Sequence, residues 1–171
     1  IQTSSIATGL SAGNYSVTVA DSSGCVASAN STITQPALLI PLISGTTAAT
    51  CNGLCNGTAT VSAGGGTSPY TYLWNTTHAQ NTQIANGLCA GTYNVTVTDS
   101  KGCTKVDSAS ITQPTLLAVS ATAITPTCSG SCNASATASV TGGTTPYSYL
   151  WNNPLATAAA TAANLCAGTY S

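Results

Sequence analysis

The chain is 171 residues long and only 3% of it is charged, two basic residues against three acidic ones, for a net charge of −1. No cluster of Lys and Arg is available to neutralise phosphates or dock on an anionic membrane, which excludes electrostatic nucleic-acid binding and polybasic membrane attachment. So little charge also means little repulsion between copies, which favours self-association.

In chain order, the opening IQTSS has neither a charged region nor an initiating Met, so no signal peptide is visible. The first structured signal is GLSAGNYSVTVADSSGC, Gly9 to Cys25. Alternating Tyr15, Val17 and Val19 mark a half-buried strand. Asp21 and Gly24 suit the first and fourth positions of a type I-based hairpin turn. The apolar run Ala37–Ile43 is a strand; Pro41 gives it an edge position. It is far shorter than the ~20 residues of a spanning helix, so no membrane span is expected in this segment. Further strands are expected at Thr58–Ala63, Tyr70–Asn75, Thr82–Leu88, Tyr93–Thr98 and Cys103–Thr112, with Asp99 and Gly102 turning the last pair. No stretch has a helical period.

The elements then recur. CNGLCNGTATVSAGGGTSPYTYLWN starts at Cys51 and CSGSCNASATASVTGGTTPYSYLWN at Cys128, a shift of 128 − 51 = 77. Cys55 to Cys132, Trp74 to Trp151 and Cys89 to Cys166 move by the same 77, whereas Tyr15 to Tyr93 and Pro36 to Pro114 move by 78. One complete unit therefore runs over 37–114. Residues 1–36 read as the C-terminal part of a preceding unit and 115–171 as the N-terminal part of a following one, as in a window cut from a longer protein. About seven short strands with regular turns predict an all-β fold: tandem immunoglobulin-like β-sandwich repeats of about 77 residues in a linear array.

The motifs CNGxCNGTATVSAGG, PYTYLW, GLCAGTYNVTVTDSKGC and ITQP resemble the SprB-type repeat of gliding-motility surface adhesins. More broadly, the strand-turn part resembles the PKD-type immunoglobulin-like module. The first unit departs where Ser11 stands in place of Cys89 and Cys166.

Four cysteines in the central unit allow three pairings. Cys89–Cys103 is set aside, because Cys103 faces Thr98 across the hairpin and Cys89 lies nine residues back, up to ~30 Å in a strand. In an immunoglobulin layout the loops before the second strand and before the Tyr93 strand share one end. That favours Cys55–Cys89 and, by repetition, Cys132–Cys166. Cys51–Cys103 remains, and the resemblance supports it, although the layout places Cys103 near the opposite end. Either the Cys51 segment runs further along the sheet or the bond joins neighbouring repeats. A metal site is disfavoured, since no His or acidic ligand recurs with C-x₃-C.

Trp74 and Trp151 read as core residues of the third strand, with sugar stacking as the competing role. Tyr15, Tyr93 and Tyr170 read as tyrosine-corner residues. Asp21 and Asp99 read as turn caps rather than calcium ligands. Lys101, Lys105 and Asp107, which are Ser23, Ala27 and Ala29 in the first unit, read as a solvated strand face. His78, the sole histidine, has Leu155 as its counterpart and reads as a loop residue without a role. Gly64–Gly66 has no following Lys or helix and is no phosphate loop. Asn-x-Ser/Thr sequons occur at Asn14, Asn30, Asn56, Asn75, Asn94 and Asn133, and Asp107-Ser108-Ala109 resembles a short bacterial O-glycosylation signal at Ser108.

One His and three scattered Asp cannot assemble a nucleophile, base and orienting acid, so no enzyme and no cofactor are expected. Eight cysteines with few charged neighbours read as disulfides made outside the cytoplasm; the resemblance implies the cell surface. The expected function is a spacer or filament whose partners are neighbouring repeats. The resemblance implies surface adhesion to a polysaccharide or substratum, linked to gliding motility. The alternative is an array of carbohydrate-binding modules. Buried Trp74 and Trp151 favour the stalk; open rings favour sugar binding.

Overall fold

The computed structural model describes residues 3–171, so the first two residues of the 1–36 segment lie outside the described residues. Among the described residues every regular element is a strand: β1 Gly13–Ala20, β2 Val26–Ile33, β3 Ile40–Thr47, β4 Gly57–Gly64, β5 Thr71–Trp74, β6 Ile84–Leu88, β7 Gly91–Thr98, β8 Thr104–Ile111, β9 Ala118–Ile124, β10 Ala134–Thr141 and β11 Thr161–Leu165. No helix long and apolar enough to cross a membrane is present among the described residues.

The central unit is a two-sheet sandwich. One sheet has the order β3-β4-β6 and the other β5-β7-β8, all pairs antiparallel. Alternation along the strands turns Ala59, Val61, Ala85 and Leu88 of the first sheet onto Trp74, Val95, Val97, Ala109 and Ile111 of the second, and all are buried. Pro41 sits in the edge strand β3, where its missing N–H breaks no inner ladder. The sandwich is drawn together along that edge. The Ala49 N–H donates to the Thr112 carbonyl at 2.9 Å, and the Ile43 N–H donates to the Asp107 carboxylate at 2.9 Å.

The two shifts, 77 and 78, have a structural cause. In the β3–β4 pair, Ile43 faces Val61 and Gly45 faces Thr60, so Ser44 is an extra residue in a β-bulge. In the equivalent β9–β10 pair, Ala121 faces Ala138 and Thr122 faces Thr137 with no break. Positions before Ser44 are thus one residue further from their counterparts than positions after it.

The flanking segments hold parts of the same architecture. β1 and β2 form a two-stranded hairpin whose residues are exposed apart from half-buried Tyr15. β9, β10 and β11 repeat the first sheet of the sandwich in the order β11-β10-β9. Residues 147–150 match the sequence around β5 but are not a strand. β5 is a strand because Thr71–Trp74 pairs with Val95–Thr98 of β7. In the third segment Asn152 and Ser171 keep related bonds: the Asn152 N–H donates to the Ser171 carbonyl at 2.9 Å and the Ser171 N–H to Asn152 Oδ1 at 2.7 Å.

Candidate functional site: the cysteine-bearing ends of the unit

Each end of the central sandwich is built by short-range hydrogen bonds. At one end lies the turn between β7 and β8. The Asp99 Oδ1 accepts the N–H groups of Lys101 and Cys103, both at 2.9 Å. Its Oδ2 accepts the Thr67 N–H at 3.0 Å, and the Ser100 N–H and hydroxyl both donate to the Thr67 carbonyl. One carboxylate therefore caps its own turn and clamps the loop after β4. Burial disfavours the charged form of Asp99. The N–H donors of Cys103, Thr67 and Lys101 and the Cys103 thiol outweigh that cost and hold the carboxyl below the ordinary aspartate value. Gly66, with φ of +58°, lies so close under this clamp that an added Cβ would stand 2.9 Å from the carboxylate. Asp21 makes the same turn bonds to Ser23 and Cys25, both at 2.9 Å, but is exposed.

At the other end, Cys55 is disulfide-bonded to Cys89, and Cys132 to Cys166 in the third segment. The loop around them is fixed by Asn56, whose side chain accepts the Thr50 N–H and donates to the Thr50 hydroxyl; Asn133 does the same with Thr127. The Gly53 N–H donates to Gln113 Oε1 at 2.8 Å and Asn52 Nδ2 to the Pro114 carbonyl at 3.1 Å. These bonds tie the Cys51 loop to the exit of β8.

That anchorage corrects one of the two expected forms of the Cys51–Cys103 bridge, the bond within a single unit. Both cysteines are exposed and neither is in a disulfide. Cys51 is held beside Gln113 and Pro114, whereas Cys103 enters β8 at its opposite end. The eight residues of β8 separate them by about 27 Å, far beyond a disulfide Cα separation of about 5.5–6 Å. Cys25 and Cys128 are exposed free thiols as well.

Trp74 and Trp151 are closed to solvent, with relative exposures of 1% and 7%. Their indole N–H groups donate to the carbonyls of Thr82 and Ala159. Tyr15, Tyr93 and Tyr170 each donate their hydroxyl to a carbonyl four residues back, of Ser11, Cys89 and Cys166. Gly24 and Gly102 close their turns by donating to the carbonyls of Asp21 and Asp99. His78 is exposed and its carbonyl accepts the Thr76 hydroxyl. Ser108 is exposed on β8.

Asp107 departs from the solvated-face reading. It is half-buried and stitches β8 to the β3 edge through Ile43, a bond that Ala29 of the first hairpin cannot make. The loop-fixing roles of Asn56 and Gln113 were also missed. Asn56 carried a usable signal, since it recurs as Asn133 at the shift of 77. Asn75 likewise recurs as Asn152; each takes the backbone N–H nineteen residues on, of Asn94 or Ser171.

Among the described residues no group of three or more His, Cys, Asp or Glu is arranged to hold a metal ion. No curated protein matches the chain. The family model of the SprB repeat matches residues 44–78 and again 121–156. The first match begins at the bulge residue Ser44 and the second at Ala121, the counterpart of Ile43; both cross the cysteine loop and the second strand and run just past the buried Trp. Their starts lie 121 − 44 = 77 residues apart, the spacing of the disulfides and of the tryptophans, so two successive segments of the chain are similar to the SprB repeat.

Proposed function

We propose that this chain is a stretch of an extracellular, disulfide-stapled array of β-sandwich units serving as the stalk of a cell-surface adhesin linked to gliding motility. The observation that carries the reading is the recurrence, at one spacing, of a disulfide and a closed Trp, with Cys55 and Trp74, and again Cys132 and Trp151, inside the matched segments. Such a unit has its bridge and its largest aromatic side chain committed to its own integrity. In this reading 37–114 is the complete unit, and 1–36 and 115–171 are parts of its neighbours. Burial of Trp74 and Trp151 supports a stalk over a row of sugar-stacking platforms.

The test is on cells that make the protein. Antibodies to the folded unit should label intact cells and mark extended filaments. Removing whole units in register should shorten those filaments and weaken attachment without abolishing export. Labelling confined to broken cells would overturn the reading. So would saccharide binding by the purified chain that is lost on Trp74→Ala while the fold is kept.

A further inference from the structure

Four thiols stay free although two of them, Cys51 and Cys103, belong to one complete unit. Their positions follow a rule. Cys51 and Cys128 lie in the loop at the exit end of a unit, and Cys25 and Cys103 follow the Asp-led turn at the entry end. The exit end of the central unit meets the entry end of the next segment. There the Gly143 N–H donates to the Thr115 carbonyl, as Gly66 does to Ala37 in the central unit. Thr50, Cys51 and Asn52 line one cavity of about 1010 Å³ together with Gly143, Thr144 and Pro146.

Thr144 marks where the missing partner belongs. It is the counterpart of Thr67, at the shift of 77. Thr67 is the residue clamped by Asp99 and Ser100, and the carboxylate that holds it also holds the Cys103 N–H. A turn of the same sequence packed on Thr144 would bring its cysteine into the cavity that Cys51 lines. In sequence, such a cysteine stands 103 + 77 − 51 = 129 residues after Cys51. No two of the four free cysteines have that separation, so the rule leaves all four free here. A bridge within the unit would have joined Cys51 to Cys103.

We propose that adjoining units are linked by a disulfide between the exit-loop cysteine of one unit, the place of Cys51 and Cys128, and the entry-turn cysteine of the unit that follows, the place of Cys25 and Cys103. The link rests on the units standing in a row, not on what the row adheres to. Two thiols lose two protons and two electrons to form each bond. An external disulfide oxidant takes them by thiol–disulfide exchange and leaves as two thiols. Successive links overlap along the sequence, so the array becomes a covalent ladder. With only the in-unit bridge, a stretched unit extends over about 77 − 34 = 43 residues, roughly 145 Å. With both bonds the shortest covalent path per unit is about 18 residues, roughly 60 Å.

The repeat register allows a direct test. Ser171 holds the place of Asn94, so attaching residues 95–171 after Ser171 continues the chain in phase and supplies the missing turn cysteine. With the original Cys103 replaced (Cys103→Ser), the extended chain is oxidised at low concentration with oxidised glutathione. It is then alkylated and digested without reduction for mass spectrometry. The expected product joins the Cys51 peptide to the attached turn peptide within one chain. In the Cys51→Ser variant that turn thiol should become alkylated, while Cys55–Cys89 and Cys132–Cys166 persist and report intact units. Alkylated Cys51 in the oxidised parent would overturn the link, as would a Cys51–Cys103 bond when Cys103 is retained. Either result would leave the stalk reading standing. Stretching of the native array gives a second readout: the extended length per unit should rise about 2.4-fold if the link alone is removed.

Discussion

Two hairpins in this chain have nearly the same sequence and the same hydrogen-bonded frame, yet only one is part of a core. Gly13 faces Ile33 and Ala20 faces Val26 in the first; Gly91 faces Ile111 and Thr98 faces Thr104 in the second. Both carry the Asp-capped turn and the Tyr hydroxyl bonded four residues back. Val17 and Val19 nevertheless stand 55% and 62% exposed, while Val95 and Val97 are fully buried. The frame is local, satisfied by partners a few residues away. The burial is supplied by β3, β4 and β6; among the described residues no such sheet covers the first hairpin.

The largest effect should come from emptying the core that separates the two. Trp74→Ala removes the largest fully buried side chain and should cost about 3–5 kcal/mol in urea unfolding of the central unit. Trp151→Ala should cost less, because the cluster that holds that ring is smaller: Ala134, Ala136, Ala162 and Leu165, with Ala138 and Tyr170 at its margin. Equal losses would mean that the third segment is as complete as the second.

Next in size is the bridge that the first copy lacks through Ser11. Opening Cys55–Cys89, which closes a separation of 34 residues, should cost roughly 3–4 kcal/mol by restoring freedom to the unfolded chain. Amide exchange should show β7 and β8 losing protection on reduction, with β1 and β2 unprotected in both states. Unchanged exchange in β7 would break the comparison.

The paired substitutions Val97→Ala and Val19→Ala sharpen it at one position. The first should cost roughly 2 kcal/mol and the second less than about 0.5 kcal/mol. Comparable costs at both sites would show that the first hairpin is covered in solution.

A pH effect should follow from the Asp99 clamp. A carboxyl whose folded pKa is depressed binds its proton more weakly folded than unfolded. Its contribution is therefore complete above the ordinary aspartate value, about 3.9, and is lost as pH falls through the folded value. Acid unfolding of the central unit should show this loss below about pH 4, and Asp99→Asn should flatten it. Asp21→Asn should leave the acid limb of the central unit as it was.

A small loss is also expected at the tyrosine corner. Tyr93→Phe removes one hydroxyl bond to the Cys89 carbonyl and should cost about 1 kcal/mol. A loss of several kcal/mol would assign that hydroxyl a partner beyond the hairpin.

Sequence alone determined what depends on near neighbours and on periodicity. Alternation and turn residues were enough for the hairpins, because their bonds close within one turn or across one ladder. The immunoglobulin layout carried the pairing of Cys55 with Cys89, since two loops at one end of a small sandwich lie close, and the repeat spacing extended it to Cys132 and Cys166. The shift of 78 against 77 already contained the Ser44 bulge, visible as one extra residue before Cys51. Tertiary structure decided the rest. Residues 147–150 share the pattern of β5 and remain irregular, because a strand needs a partner ladder as well as its own propensity. Asp107 looked like a surface charge until the β3 edge brought the Ile43 N–H to it. Cys51 and Cys103 belong to one unit in sequence but lie at opposite ends of β8, and a covalent bond forms only where the fold brings two thiols within reach.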